Sequence, residues 1–171
     1  VSANTVRAVS LLREYRIAPL MTITNWDPIK SFDPDLARTV MNDPVVRTRL
    51  IEAILRLLEQ YAFTGINVDF ENMYPQDRVL YTDFIAFLVS ALRPRGYLVT
   101  LALAPKFSDQ PTAPWVGAFD YAALGALADF VFIMTYEWGW IGGPPMAIAP
   151  LNLVQRVVDY AASQIPPAKI I

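Results

Sequence analysis

Thr64-Gly65-Ile66-Asn67-Val68-Asp69-Phe70-Glu71 sets three polar side chains at alternate positions in an otherwise apolar run. In an extended chain successive side chains point to opposite faces. Asn67, Asp69 and Glu71 therefore share one face, and Ile66, Val68 and Phe70 share the other. The ladder step along the polar row is roughly 7 Å. Holding two carboxyls side by side away from water is costly unless they are paired or neutralised, so a strand that keeps them has chemistry for them. The competing reading is an edge strand with a solvated polar face. The wholly apolar opposite face, and the apolar strands that follow, favour a buried parallel sheet.

Outward from that strand the pattern alternates. Before it, Ala3 to Tyr15 reads as an amphipathic helix, and Ile17 to Asn25 as a strand ending in Trp26-Asp27-Pro28. Asp33-Pro34 and Asp43-Pro44 each supply an N-cap followed by a proline suited to the first helical turn. The first opens a short helix, and the second a long one with Val46, Leu50, Ile54, Leu57 and Leu58 as its apolar stripe. After the central strand, Leu80 to Ala91 is helical and is stopped by Pro94-Arg95-Gly96. Tyr97 to Ala104 is a strand ending at Pro105-Lys106, Tyr121 to Leu127 a short helix, and Phe130 to Tyr136 another strand. A Gly142-Gly143-Pro144-Pro145 loop, a helix over Leu151 to Ser163 and the opening of a further strand at Lys169 to Ile171 complete the pass.

Strand and helix alternating without hairpin signals predict an α/β fold with a parallel sheet and right-handed crossovers. A doubly wound nucleotide fold would need a glycine-rich phosphate loop, and none exists here. A (β/α)8 barrel instead gathers polar residues at the carboxyl ends of several strands. This chain does so at Asn25, at Asp69 with Glu71, at Lys106, and at Tyr136 with Glu137. A full barrel takes about 250 residues, and this chain has 171. The expectation is part of one barrel domain over residues 1–171, with four strands and the start of a fifth.

Composition narrows the chemistry. A net charge of −2 and the lack of a Lys or Arg run argue against nucleic acid as a partner. Without Cys or His, thiolate nucleophiles, disulfides, Ser-His-Asp triads and zinc sites built on those ligands are excluded. The reaction is left to carboxyls, Tyr, Lys, Ser or Thr. No apolar run reaches the length of a membrane span.

Gly65-Ile66-Asn67-Val68-Asp69-Phe70-Glu71 resembles the strand-4 signature of glycoside hydrolase family 18, DxxDxDxE, with the final acid at Glu71. Met134-Thr135-Tyr136-Glu137 resembles that family's strand-6 motif, Met-x-Tyr-Asp, and Ala104-Pro105-Lys106 falls where strand 5 ends. Asn-Val-Asp-Phe-Glu-Asn, Leu-Ala-Leu-Ala-Pro-Lys and Met-Thr-Tyr-Glu-Trp-Gly-Trp look like the bacterial branch of spore-cortex-lytic N-acetylglucosaminidases, which often carry LysM modules. The alignment implies a span from the helix before the family's strand 3 to the start of its strand 7. Thr64 and Asn67 replace the first two acids of the signature, and Glu137 replaces the Asp of the strand-6 motif. Those departures favour peptidoglycan over chitin.

The resemblance implies a hydrolase of N-acetylglucosamine-containing glycan, acting outside the cytoplasm at the cell wall or spore surface without a cofactor. By it, Glu71 is the general acid and base, Asp69 tunes Glu71 and holds the substrate acetamido N–H, and Tyr136 donates to the acetamido oxygen. Asn67 is expected to orient Asp69. Asn25, Lys106, Met134, Glu137, Trp138 and Trp140 are expected to line the sugar site. The competing functions are a carbohydrate-binding barrel that has lost catalysis, which the presence of Glu71 opposes, and a metal-dependent lyase or aldolase using Asp69 and Glu71 as oxygen ligands.

Overall fold

Capping residues set where most helices begin in the computed structural model, which describes residues 2–171. The Ser2 hydroxyl caps α1 (Ala3–Glu14) by accepting from the Thr5 N–H. The carboxylates of Asp33 and Asp43 cap α2 (Pro34–Asn42) and α3 (Pro44–Tyr61), each accepting two backbone N–H bonds, with proline opening the first turn as expected. Ala62, in the left-handed region at φ 57°, ends α3 and turns the chain into the central strand.

Four strands, β1 (Leu20–Thr24), β4 (Gly65–Asp69), β5 (Leu98–Leu103) and β6 (Phe130–Ile133), form one parallel sheet in the order β1-β4-β5-β6. Ile170 forms a parallel bridge to Val131, the start of a fifth strand. The crossovers carry α2 and α3, then α4 (Arg78–Leu92), then α5 (Tyr121–Leu127); α6 (Leu151–Gln164) follows β6. Gly65 sits where the sheet leaves no room, because a Cβ there would lie 2.2 Å from the Leu98 carbonyl oxygen. Among the described residues, no helix is long and apolar enough to cross a membrane.

The alternation read in the central strand holds. Ile66, Val68 and Phe70 are buried with Val99, Leu101, Leu103, Val131 and Ile133 beneath the helices. Fully burying a side chain of this size stabilises by about 1.5–3 kcal/mol. Phe70 stacks on Phe84 and Tyr81 of α4, at ring separations of 5.7 and 6.3 Å. The registers place Thr22, Asn67, Thr100 and Phe130 in one row across the opposite face. No helix of the described chain covers that face. Phe130 and Phe132 stand exposed there, and an apolar hollow of about 370 Å³ opens between Leu20, Leu98, Thr100 and the two phenylalanines. A parallel sheet with helices on one side only and an unfilled interior on the other is an arc of a (β/α)8 barrel.

Three expectations are corrected in detail. The first strand is shorter than Ile17 to Asn25, because pairing with β4 begins only after Pro19 and ends at Thr24. The strand expected to run to Tyr136 ends at Ile133, so Met134, Thr135 and Tyr136 lie in the loop beyond it. The chain also contains a hairpin, β2 (Trp26–Asp27) with β3 (Ser31–Phe32), where only a loop was expected. The Asp27 carboxylate closes its turn by accepting from the Ile29 and Lys30 N–H groups.

Candidate active site

Glu71, Pro105, Trp115, Met134, Tyr136 and Glu137 line a cavity of about 340 Å³ beyond the carboxyl ends of β4, β5 and β6. Asp69 lies one ladder step below Glu71 on the same face. Its Oδ1 is buried and has no hydrogen-bond partner among the described residues. An acceptor withdrawn from water and left unpaired is costly, which marks it as a group waiting for a donor.

The electrostatics separate the roles of the polar groups. Burial, then the neighbouring charges of Asp69 and Glu137, push the Glu71 carboxyl above its ordinary value. Burial alone pushes Asp69 up. Tyr136 is raised by burial and then by Asp69, Glu137 and Glu71, so its hydroxyl keeps its proton while feeling all three acids. A carboxyl with its pKa raised and a phenolic donor thus meet at one hollow, with a buried free acceptor one ladder step below. That set can donate a proton, hold an N–H and stabilise a developing oxygen charge.

The chain leaves β4 by a sharp turn that aims Glu71. Asn72 follows in the left-handed region at φ 52°, and its Nδ2 donates to the Phe32 carbonyl at 3.3 Å. Glu137 is also left-handed, at φ 58°, where the chain bends away after Tyr136. Asn67 points to the same face as Asp69, yet its Oδ1 accepts from the Thr100 hydroxyl at 2.9 Å, and it borders the apolar hollow below. It does not hydrogen-bond Asp69.

Four residues expected to contact the sugar lie outside the lining of this cavity. Asn25 is only 1% exposed, and its amide is used by the protein itself. Lys106 is likewise 1% exposed. Its Nζ donates to Asp109 Oδ1 and to the Phe119 carbonyl, each at 2.8 Å, over the Tyr121 ring. A lysine expected at the cleft therefore holds the following loop from beneath. Trp138 and Trp140 do not line the cavity. Trp138 stacks on Phe107 with ring centroids 5.7 Å apart, and Trp140 is 65% exposed against Gly143.

Trp115 escaped the sequence reading. It stands 51% exposed at the cavity wall, in the long loop between β5 and α5. Its signal was present: it is the only tryptophan between Lys106 and Asp120, in a segment with Pro105, Pro111 and Pro114. Arg78 fixes that loop by pairing with Asp109 and Asp120 and donating to the Gly117 and Phe119 carbonyls. A flat aromatic on a fixed loop offers a rigid apolar face to whatever enters the cavity.

Comparison with known proteins follows the same lines. The profile of glycosyl hydrolases family 18 matches residues 16–171. The cortical fragment-lytic enzyme of Bacillus anthracis is 38% identical over 167 residues, a match covering 98% of this chain and 38% of that protein. The crystal structure of the Bacillus cereus spore cortex-lytic enzyme SleL superposes on the whole chain with a TM-score of 0.93 at 37% identity, covering 39% of its own length. The putative sporulation-specific glycosylase YdhD of Bacillus subtilis superposes with a TM-score of 0.90 at 33% identity, over 99% of this chain and 55% of that structure.

Proposed function

The chain belongs to glycosyl hydrolase family 18, and from that premise we propose that it contributes the catalytic centre of a hydrolase of N-acetylglucosamine-containing glycan, with bacterial spore-cortex peptidoglycan as its substrate. The observation that carries this reading is the buried, unpartnered Asp69 Oδ1 beside a Glu71 held above its ordinary pKa. The relatives named for cortex lysis support the substrate.

One enzyme carboxyl is enough when the substrate supplies its own nucleophile, as this family is known to do. Glu71 gives its proton to the glycosidic oxygen as the bond to the anomeric carbon breaks. The 2-acetamido oxygen of the same sugar attacks that carbon and closes a cyclic oxazolinium ion. Asp69 Oδ1 accepts from the acetamido N–H, and the Tyr136 hydroxyl donates toward the acetamido oxygen. Both contacts strengthen as charge develops, which is the condition for accelerating the chemical step. Glu71, now ionised, takes a proton from water as the water opens the ring, and the anomeric configuration is retained. The Trp115 face holds the neighbouring sugar.

The test is Glu71→Gln in the full-length protein on muropeptide and on chitin oligomers. The expected outcome is a fall in kcat of about 10²–10⁴-fold, with folding retained and product from the parent released as the β-anomer. A parent-like rate in Glu71→Gln overturns the assignment of the acid. Release of the α-anomer overturns the acetamido-assisted route.

A further inference from the structure

Glu71, for all its importance, has no hydrogen-bond partner for its carboxyl among the described residues; only its backbone is held. Its carboxyl position is therefore set by its backbone and its rotamer. The sheet does not supply that backbone support, because the parallel pairing of β1 with β4 ends at Thr24 opposite Asp69, two residues short of Glu71. Beyond that point a side chain takes over.

The Asn25 amide closes a ring with the Glu71 peptide. Its Oδ1 accepts from the Glu71 N–H at 2.9 Å, and its Nδ2 donates to the Glu71 carbonyl at 2.9 Å. The second Nδ2 hydrogen donates to the Asp33 carbonyl at 3.1 Å, and the Asn25 carbonyl accepts from the Asp33 N–H at 3.0 Å. Both amide donors are used. Asn25 is buried, so water does not compete for these bonds. Asp33 is itself fixed as the cap of α2 and by Lys30. The chain from Asn25 to Asp33, with the β2–β3 hairpin in between, thus forms a bracket whose one outward grip is on Glu71, with Asn72 to Phe32 as a second tie one residue on.

We propose that Asn25 is a positioning residue for the reaction: its side-chain amide extends the sheet by one peptide and fixes the general acid at the height and angle its proton transfer requires. This rests on the role given to Glu71 above. Asparagine suits the position because it presents one acceptor and two donors from a short, planar group. Aspartate keeps the acceptor but turns a carboxylate oxygen against two carbonyls, and alanine leaves all three partners bare.

The experiment compares Asn25→Ala and Asn25→Asp with the parent and with Glu71→Gln, all in the full-length protein. It measures kcat and KM on a chromogenic chitin oligomer, the pH dependence of kcat, and Tm. Misplacing a catalytic group by about 1 Å lowers the rate by about 10²-fold, so kcat is expected to fall about 10- to 100-fold with KM within about twofold. In Asn25→Ala the alkaline limb, where Glu71 loses its proton, is expected to move to lower pH, because a loosened carboxyl regains water. A purely structural role would lower Tm and the folded fraction while leaving kcat per folded molecule and the limb at parent values; that result overturns the proposal. If Asn25→Ala does not fold, Asn25→Asp, of nearly unchanged volume, is read in its place, and parent-like kcat in it overturns the proposal equally. Glu71→Gln separates the two readings: activity surviving there sinks the assignment of the acid, whereas activity lost there but kept in the Asn25 variants sinks only the bracket.

Discussion

In the role proposed for it, Glu71 has to start each turnover with its proton, and the residues around it favour the protonated form. Burial comes first, then Asp69, then Glu137, all raising the pKa of Glu71. Activity is therefore expected to be full while Glu71 is protonated and to fall as the pH rises through its elevated pKa. Removing one of the charges that raise it moves that limb to lower pH. Glu137 is exposed, so its share is screened by salt. Glu137→Gln is expected to shift the alkaline limb down by less than about 1 pH unit, and by more at low than at high ionic strength. The measurement is kcat against pH at two salt concentrations. A limb moving to higher pH would remove Glu137 from the charges acting on Glu71. The neutral amide at Asn67 fits the same scheme: it accepts from Thr100 and adds no further negative charge to the row.

Two elements frame the hollow, and each hangs on one buried polar residue. The Asn25–Asp33 bracket grips Glu71, and the loop from Phe107 to Asp120 rests on Lys106 with Arg78. Burial works against the Asp109 carboxylate, yet its hydrogen bonds to Lys106 and Arg78 hold it below its ordinary pKa. Lys106→Met would keep the volume but leave the Phe119 carbonyl with only the longer 3.3 Å bond from Arg78, and Asp109 Oδ1 with Arg78 but without its ammonium. Since both acceptors keep Arg78 and Asp109 is itself partly exposed, the expected loss is about 1–2 kcal/mol, read as a lower urea midpoint with an unchanged m-value. An unmoved midpoint would show that Lys106 is not what holds this loop. The sequence showed why these elements exist but not what they do. Asp33-Pro34 and Asp43-Pro44 announce helices because capping is local chemistry within a few residues. The β2–β3 hairpin, with strands of only two residues, has no periodicity to read. Asn25 was misread because a polar residue at the end of a strand looks like part of a cleft. Alternation along β1 turns Asn25 to the side of Met21 and Ile23, away from Thr24, and that parity was legible. Lys106 had no such clue, since its partner carbonyl at Phe119 comes from a loop that returns thirteen residues later.

At the scale of the molecule, the same alternation that buries Ile66, Val68 and Phe70 under helices leaves the opposite face of the sheet without a cover. The barrel architecture was legible because polar residues recur at the carboxyl ends of successive strands, and because each strand's apolar residues answer to a helix that follows. The filling of the interior was not, since layers of a barrel core come from strands distant in sequence. The chain spans 38% of the length of the curated relative it matches in Bacillus anthracis. In a barrel of that length, side chains from further strands are expected to fill the hollow that Phe130 and Phe132 share with Leu20 and Leu98. The 171-residue span expressed by itself is therefore expected to bind a hydrophobic dye such as ANS, to self-associate through its open strand edges, and to hydrolyse no glycan. The full-length protein is expected to do none of the first two and to cleave glycan. Phe130→Ser with Phe132→Ser in the isolated span separates the causes: dye binding falls if that face is the source, whereas unchanged binding would place the exposed apolar surface elsewhere, on the helices or in a loosened core. Glycan cleavage by the isolated span at the full-length rate would show that four strands complete the site, and that the tuning of Glu71 by Asp69 and Glu137 needs nothing from across the barrel.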